Sequence, residues 1–189
     1  MAISLLRVIA GVAKGRRLKA PTGLTTRPAT DRLKEAVFSS LGPLVVDAEV
    51  LDLYAGTGAL GIEALSRGAS HATFIEKDEA AATIIEANLN HTQLSESATV
   101  LRMKAEHFAA RPAKRIFQLI FVDPPYALGF PLKTLQSLVV LGHIAPGAVI
   151  VVETAARQEP FDIPAGFVLT GQRSYADSAV AYLKYEGRY

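Results

Sequence analysis

The chain has 189 residues, of which 50% are hydrophobic and 20% are charged, a composition typical of a globular domain and not of a disordered chain. It contains no cysteine, which excludes disulfides, thiolate metal sites and mechanisms that use a cysteine nucleophile. The apolar stretch at residues 3–13 is interrupted by Arg7 and is too short to span a membrane. We therefore expect a cytoplasmic protein without a signal peptide.

Charge is distributed unevenly along the chain. Residues 1–40 carry eight basic and two acidic side chains, a net charge of +6, whereas the remaining 149 residues carry a net charge of −4. A basic segment on an acidic body favours a polyanionic partner, although a solvated basic hairpin has the same composition. The candidates for nucleic-acid contact are Lys14, Arg16, Arg17, Lys19, Arg27 and Arg32.

The first forty residues differ in pattern from the rest of the chain. Residues 5–11 and 16–21 are predicted to form the two short strands of a hairpin around residues 12–15, where Gly11 and Gly15 can supply the turn conformations. Apolar residues at helical spacing then predict an amphipathic helix over 31–41, with Thr30 as its N-cap. These elements form a basic N-terminal extension, residues 1–41.

From residue 50 onward, predicted strands and helices alternate. The strands are predicted at 50–54, 72–75, 99–102, 117–122 and 148–153, and the helices at 59–67, 79–89 and 131–141. Such alternation predicts right-handed crossovers and an open parallel sheet. Two final strands, at 167–172 and 179–186, flank a short polar link that suits an antiparallel pair. We therefore expect an α/β domain over residues 42–189.

A glycine-rich turn follows the first strand of this domain. The segment Asp52-Leu-Tyr-Ala-Gly56-Thr-Gly58-Ala-Leu-Gly61 has the G-x-G-x-x-G spacing of a nucleotide-binding turn that opens a helix. Glu76 ends the second strand, where its carboxylate can accept hydrogen bonds from both ribose hydroxyls. The turn predicts a nucleoside-containing cofactor. It does not separate a dinucleotide from S-adenosylmethionine, whose ammonium group Asp52 could attract.

The tetrapeptide Asp123-Pro-Pro-Tyr126 follows the fourth strand, at the edge where ligands bind in open α/β sheets. Its prolines remove two N–H donors and leave carbonyl acceptors. Asp123 and the Pro124 carbonyl can bind both N–H groups of an exocyclic amino group, while Tyr126 stacks on the base. A proline-rich turn with a packing tyrosine is the structural alternative. Guanine, adenine and cytosine all satisfy this chemistry, so the base stays open.

Together these motifs resemble a known family. The sequence is similar to the S-adenosylmethionine-dependent amino-methyltransferases with Asp/Asn-Pro-Pro-Tyr/Phe, and more specifically to the bacterial small-subunit (16S) ribosomal RNA guanine-N2 methyltransferases (RsmD-like). The quoted segments that carry the resemblance are Arg7-Val-Ile-Ala-Gly11, Gly15-Arg-Arg-Leu, Arg27-Pro-Ala-Thr-Asp31-Arg32, Leu51–Gly61 and Asp123–Tyr126. One departure is Lys104-Ala105-Glu106, where relatives tend to carry a small polar or acidic residue.

The resemblance implies a class I methyltransferase fold, a Rossmann-like seven-stranded sheet with an antiparallel last strand. It implies S-adenosylmethionine as cofactor and ribosomal RNA or a ribosomal particle as partner. With that partner, the positive charge of residues 1–41 predicts that this extension is an RNA clamp. The implied cofactor contacts are Asp52, Tyr54, Gly56 and Gly58 at the methionine part, Glu76 at the ribose, Lys77 at the adenine and the Ala105 backbone. Asp123, Pro124 and Tyr126 are the implied catalytic residues.

Three further expectations concern chemistry. Direct methyl transfer needs no metal, and the four histidines lack ligand spacing, so we expect no metal site. An adenine-N6 methyltransferase acting on DNA or RNA would use the same catalytic residues and is the enzymatic alternative. A non-catalytic RNA-binding factor of ribosome assembly is the alternative from another class.

Overall fold

The computed structural model describes residues 6–20, 29–124, 131–155, 163–175 and 178–187. Within them the strands are β1 (Glu49–Asp52), β2 (His71–Glu76), β3 (Ala98–Arg102), β4 (Phe117–Val122), β5 (Ile144–Ala155), β6 (Phe167–Ser174) and β7 (Ser178–Tyr185). The helices are α1 (Ala29–Leu41), α2 (Ala59–Ser66), α3 (Glu79–Thr92), α4 (Ala105–Ala109) and α5 (Leu132–Val140), with short 3-10 turns at Gly42–Val45 and Ser95–Ser97.

The strands form one seven-stranded sheet in the order β3-β2-β1-β4-β5-β7-β6. Neighbours from β3 to β5 pair in parallel, whereas β7 is antiparallel to both β5 and β6. The predicted α/β fold with an antiparallel last strand is therefore confirmed. Because the parallel strands are covered on both faces, β4 is an almost continuous apolar run.

Each face of the sheet carries its own hydrophobic core. One core contains Val37 and Phe38 of α1, Ile62 of α2 and Ile85 of α3. The other lies beneath α4 and α5 and includes Phe108, Phe117, Leu135 and Leu138. The side chains of Leu6, Val8, Ala13 and Leu18 are buried in the first core, so the N-terminal segment packs as part of the main body.

Several predicted boundaries shift. The N-terminal hairpin is reduced to one antiparallel bridge between Arg7 and Arg17, supported by hydrogen bonds such as Val8 N–H to the Arg16 carbonyl at 2.9 Å. Helix α1 begins at Ala29, so the prediction of Thr30 as N-cap is wrong. Strand β5 begins at Ile144, earlier than predicted, and its register against β4 shifts between Phe117 and Leu119. The five-residue helix α4 was not predicted, because one turn leaves too little periodicity to detect.

The described residues lack two kinds of feature. No helix in that part of the chain is long and apolar enough to cross a membrane. No group of three or more histidine or acidic side chains there is arranged to hold a metal ion.

Candidate active site

A cavity of about 610 Å³ opens at the carboxyl ends of the parallel strands. Residues near or after the carboxyl ends of five neighbouring strands line it. The lining residues are Leu53, Tyr54 and Gly56 after β1, Ile75, Glu76 and Lys77 at β2, Met103, Lys104, Ala105 and Glu106 after β3, Asp123 and Pro124 after β4, and Glu153 on β5. The site therefore lies at the sheet edge where open α/β proteins bind their ligands.

The glycine turn forms one wall of the cavity. Its start is held between the two neighbouring strands, since Leu53 N–H donates to the Phe121 carbonyl and Ala55 N–H to the Ile75 carbonyl. Gly58 has a φ of 77° where it caps α2, a conformation that L side chains rarely adopt. A Cβ on Gly61 would lie 2.3 Å from the Phe74 ring, so this glycine is needed for close packing of α2 on β2.

Asp52 lies beneath the turn and does not line the cavity. Its carboxylate accepts a hydrogen bond from Gly61 N–H at 3.1 Å and thereby ties the end of β1 to the first turn of α2. Complete burial raises the pKa of Asp52 to about 7, and the nearby negative charge of Glu76 adds to this rise. In this structure Asp52 supports the turn, and its predicted attraction for a cofactor ammonium stays a prediction.

Glu76 is held by the backbone at the end of β2. Its two oxygens accept hydrogen bonds from Gly56 N–H at 2.9 Å and from Asp78 N–H at 2.8 Å. Each carboxylate oxygen has a second lone pair, so the group can still accept the two hydroxyls of a ribose. Lys77 follows it on the cavity rim as an exposed side chain.

Tyr54 faces the segment after β3 across the cavity. Its hydroxyl donates to Glu106 Oε1 over a long distance of 3.4 Å. Burial, together with the negative charge of Glu106, raises the pKa of Tyr54 to about 12, so the phenol stays protonated near neutral pH. Ala105 is buried at the start of α4 and also lines the cavity. Glu106 was not predicted as a site residue, although it belongs to Lys104-Ala105-Glu106, the segment in which the sequence departs from the resembled family.

Asp123 directly follows β4, and Glu153 lies near the carboxyl end of the neighbouring strand β5. Val122 pairs with Val152 in parallel register, so the next residue of each strand projects on the same face of the sheet. Withdrawal from bulk water raises the pKa of Asp123, and the charges of Glu153 and Asp52 raise it further. Sequence reasoning missed Glu153, because only the strand register brings it to Asp123.

The structure brings most of the predicted site residues together. Those that line this cavity are Tyr54, Gly56, Glu76, Lys77, Ala105, Asp123 and Pro124. Gly58 and Asp52 support the turn without lining the cavity. Tyr126 and Arg27 lie outside the described residues, so the stacking role of Tyr126 stays a prediction.

The predicted nucleic-acid contacts have mixed surroundings. Lys14, Arg17, Lys19 and Arg32 are exposed. Arg16 is half-buried, and its guanidinium donates to the His91 carbonyl and to Gln93 Oε1, the latter at 3.0 Å. Part of the N-terminal charge therefore stabilises the protein itself. Binding of RNA by this segment stays a prediction.

The charge of the cavity favours a cationic ligand. Its lining carries four carboxylates (Glu76, Glu106, Asp123 and Glu153) against two lysines (Lys77 and Lys104). The first turn amide, Gly56 N–H, is already used by Glu76 and is not free for a pyrophosphate. Apolar side chains such as Ile75 and Met103 add a surface for a flat base. This acidic and partly apolar lining fits S-adenosylmethionine. The fold and the site together define a class I methyltransferase.

Comparison with known proteins gives the family. Residues 6–184 match the family described as "Conserved hypothetical protein 95". The Ribosomal RNA small subunit methyltransferase D of Escherichia coli (strain K12) is 38% identical over 181 residues, which cover 96% of this chain and 89% of that protein. YlbH of Bacillus subtilis (strain 168) is 40% identical over 185 residues, covering 96% of this chain and all of YlbH. The chain belongs to the ribosomal RNA small subunit methyltransferase D family.

A solved structure agrees with this membership. The Escherichia coli protein yhhF superposes with a TM-score of 0.87 at 35% sequence identity, and the match covers 98% of this chain and 100% of that chain. The likeness therefore extends over the N-terminal segment and the sheet alike.

Proposed function

We propose that the protein transfers a methyl group from S-adenosylmethionine to the exocyclic N2 of a guanine in small-subunit (16S) ribosomal RNA. One observation carries the proposal: Asp123 and Pro124 open into the same cavity as Gly56 and Glu76. The amino-group acceptors and the nucleoside-binding residues thus serve one reaction centre. The name of the Escherichia coli relative supports ribosomal RNA of the small subunit as the substrate.

The residues of the chain suggest how the cofactor would be held. Glu76 would bind the ribose hydroxyls, while Ile75 and Met103 would flank the adenine. The acidic lining would favour the positive charges of the methionine part. When bound, S-adenosylmethionine supplies an electrophilic methyl group on its sulfonium.

Asp123 and Pro124 would prepare the amino group of the base. The carboxylate and the Pro124 carbonyl accept its two N–H donors and orient the nitrogen. An acceptor that is already in place also stabilises positive charge as it develops on that nitrogen. In its ionised form Asp123 would also accept the proton that the nitrogen releases.

The N-terminal basic side chains and the cytoplasmic location belong to the proposal as well. Lys14, Arg17, Lys19 and Arg32 are exposed and suit phosphate contact by charge.

A base inside paired RNA would leave the stack at a cost of a few kcal/mol, which stacking and amino-group hydrogen bonds offset.

Calorimetric titration tests the cofactor. S-Adenosylhomocysteine, the demethylated product, should bind, and NAD should not. Glu76→Gln should weaken that binding, since it changes the group proposed to hold the ribose. Glu79→Gln is the matched control, because Glu79 is exposed and pairs only with Arg102 among the described residues. Tight binding of NAD without binding of S-adenosylhomocysteine would overturn the proposal.

A further inference from the structure

Beside Asp123 the cavity holds a second carboxylate, Glu153, which binding of the amino group does not need. Asp123 with the Pro124 carbonyl already supplies an acceptor for each N–H of an exocyclic amino group. Glu153 is half-buried on the neighbouring strand, lines the same cavity and projects beside Asp123, because Val122 pairs with Val152. Its position therefore calls for a second donor on the bound base.

The two carboxylates are electrostatically unfavourable neighbours without such donors. The charge of Glu153 raises the pKa of the already buried Asp123. Burial raises the pKa of Glu153 as well, and a hydrogen bond with Ser178 partly offsets this. A ligand that presents two adjacent N–H donors relieves this repulsion. A ligand that presents a lone pair to one of the carboxylates increases it.

The nucleobases differ in this property. On its Watson–Crick edge guanine carries the ring N1–H directly beside the exocyclic amino group, so two kinds of donor stand next to each other. Adenine carries an amino group beside an unprotonated ring nitrogen, whose lone pair is an acceptor. Enzymes that extrude a base read this edge by hydrogen bonds.

We propose that Glu153 accepts a hydrogen bond from the ring N1–H of the target guanine while Asp123 holds the exocyclic amino group. Glu153 is then the residue that distinguishes guanine from adenine, a choice that the Asp-Pro-Pro chemistry leaves open. This inference rests on the proposed function and assigns its base specificity to a side chain outside the motif.

The test uses 2-aminopurine, which keeps the exocyclic amino group of guanine but has an acceptor at N1. Ribosomal RNA is prepared with guanine or 2-aminopurine at the position that the wild-type enzyme labels. Wild type should prefer guanine by roughly tenfold or more in kcat/KM, since 2-aminopurine leaves Glu153 facing a lone pair. Glu153→Gln should narrow the preference to within about threefold, because its amide can donate to that lone pair.

Glu153→Leu provides a second variant, which removes the acceptor altogether and should narrow the preference in the same way. Glu96→Gln, an exposed change in the 3-10 turn before β3, is the matched control and should keep it. Binding of S-adenosylhomocysteine and the melting temperature show that each variant is folded. An unchanged preference in folded Glu153 variants overturns the inference, whereas absence of transfer to guanine by wild type overturns the proposed function instead.

Discussion

The glycine turn after β1 and the basic N-terminal extension, residues 1–41, were both singled out by their sequence. Their predicted contact residues agree with the structure to different degrees. In the turn, the predicted residues Gly56 and Glu76 both line the cavity, and the hydrogen bond from Gly56 N–H to Glu76 holds them there. In the extension, Arg7 pairs with Asp31 at 3.1 Å and Arg16 bonds to Gln93. Net charge therefore predicts a partner but does not say which side chains face it.

The two regions are also joined. Asn88 of α3 donates to the carbonyls of Lys19 and of Thr57, the residue between the first two glycines of the turn, and it accepts from Lys19 N–H at 2.7 Å. The buried carboxylate of Glu63 on α2 accepts from Ile9 N–H at 2.8 Å and from Ala10 N–H at 3.0 Å. The N-terminal segment is thus held by the same helices that follow the glycine turn and β2.

The largest effect on methyl transfer is expected from replacing Asp123, the proposed acceptor for the amino group. Asp123→Ala should lower methyl transfer by roughly a hundredfold or more, because a preorganised acceptor at the amino nitrogen is removed. Binding of S-adenosylhomocysteine should persist, since Glu76 and the glycine turn remain. A methyl-transfer assay beside calorimetry measures both quantities. Near-normal turnover in Asp123→Ala would contradict the proposed role of Asp123.

A second effect concerns the buried carboxylate beneath the turn. The folded pKa of Asp52 is raised from 3.8 to about 7, so its neutral form stabilises the fold. That contribution is complete below the unfolded pKa and is lost as pH rises through the folded pKa. Between pH 5 and pH 8 the wild type should therefore lose ~2–3 kcal/mol of unfolding free energy relative to Asp52→Asn. Denaturant unfolding at both pH values measures it, and parallel pH dependence of the two proteins would refute it.

A third effect tests the packing of the turn. Gly61→Ala places a methyl group 2.3 Å from the Phe74 ring and should lower the unfolding free energy by about 1–3 kcal/mol. Gly171→Ala is the matched control, because the added carbon would meet its nearest neighbour, Tyr182, at an ordinary 3.7 Å. Thermal unfolding compares the two variants. Equal losses would mean that the close approach of α2 to β2 does not require a glycine.

The smallest effect belongs to the N-terminal segment. Replacing Arg17 and Lys19 with alanine should weaken RNA binding and reduce the log–log salt slope by roughly 0.7–0.9 for each phosphate that is no longer neutralised. Arg7→Ala should change the slope less, since its guanidinium already pairs with Asp31. Filter binding over a salt series measures the slopes. If the double variant keeps the wild-type slope, these residues are solvated surface and do not bind RNA.

The predictable parts of the fold are those that a local sequence pattern specifies, such as a continuous apolar run or a fixed spacing of glycines. The predicted bounds of β4 agree with the structure because the strand is apolar on both faces, and the glycine turn was recognisable from its spacing. Helix α4 and the start of β5 were missed, since one is a single turn and the other depends on pairing with β4.

The residues of the candidate site also fall into those that local sequence predicts and those that it does not. Residues within a contiguous motif, such as Gly56 and Asp123, could be assigned from local sequence. Glu153 could not, because its proximity to Asp123 arises from the register of two strands that are distant along the chain. Tyr54 and Glu106 likewise meet only through the order of the strands in the sheet.

The most direct measurement identifies the methylated nucleoside. Labelled S-adenosylmethionine is offered to small-subunit ribosomal RNA and to particles that lack the modification, and the RNA is digested for mass spectrometry. We predict label in N2-methylguanine, with one methyl group per target. Label in N6-methyladenine, or no label in any nucleoside while the donor binds normally, would contradict it.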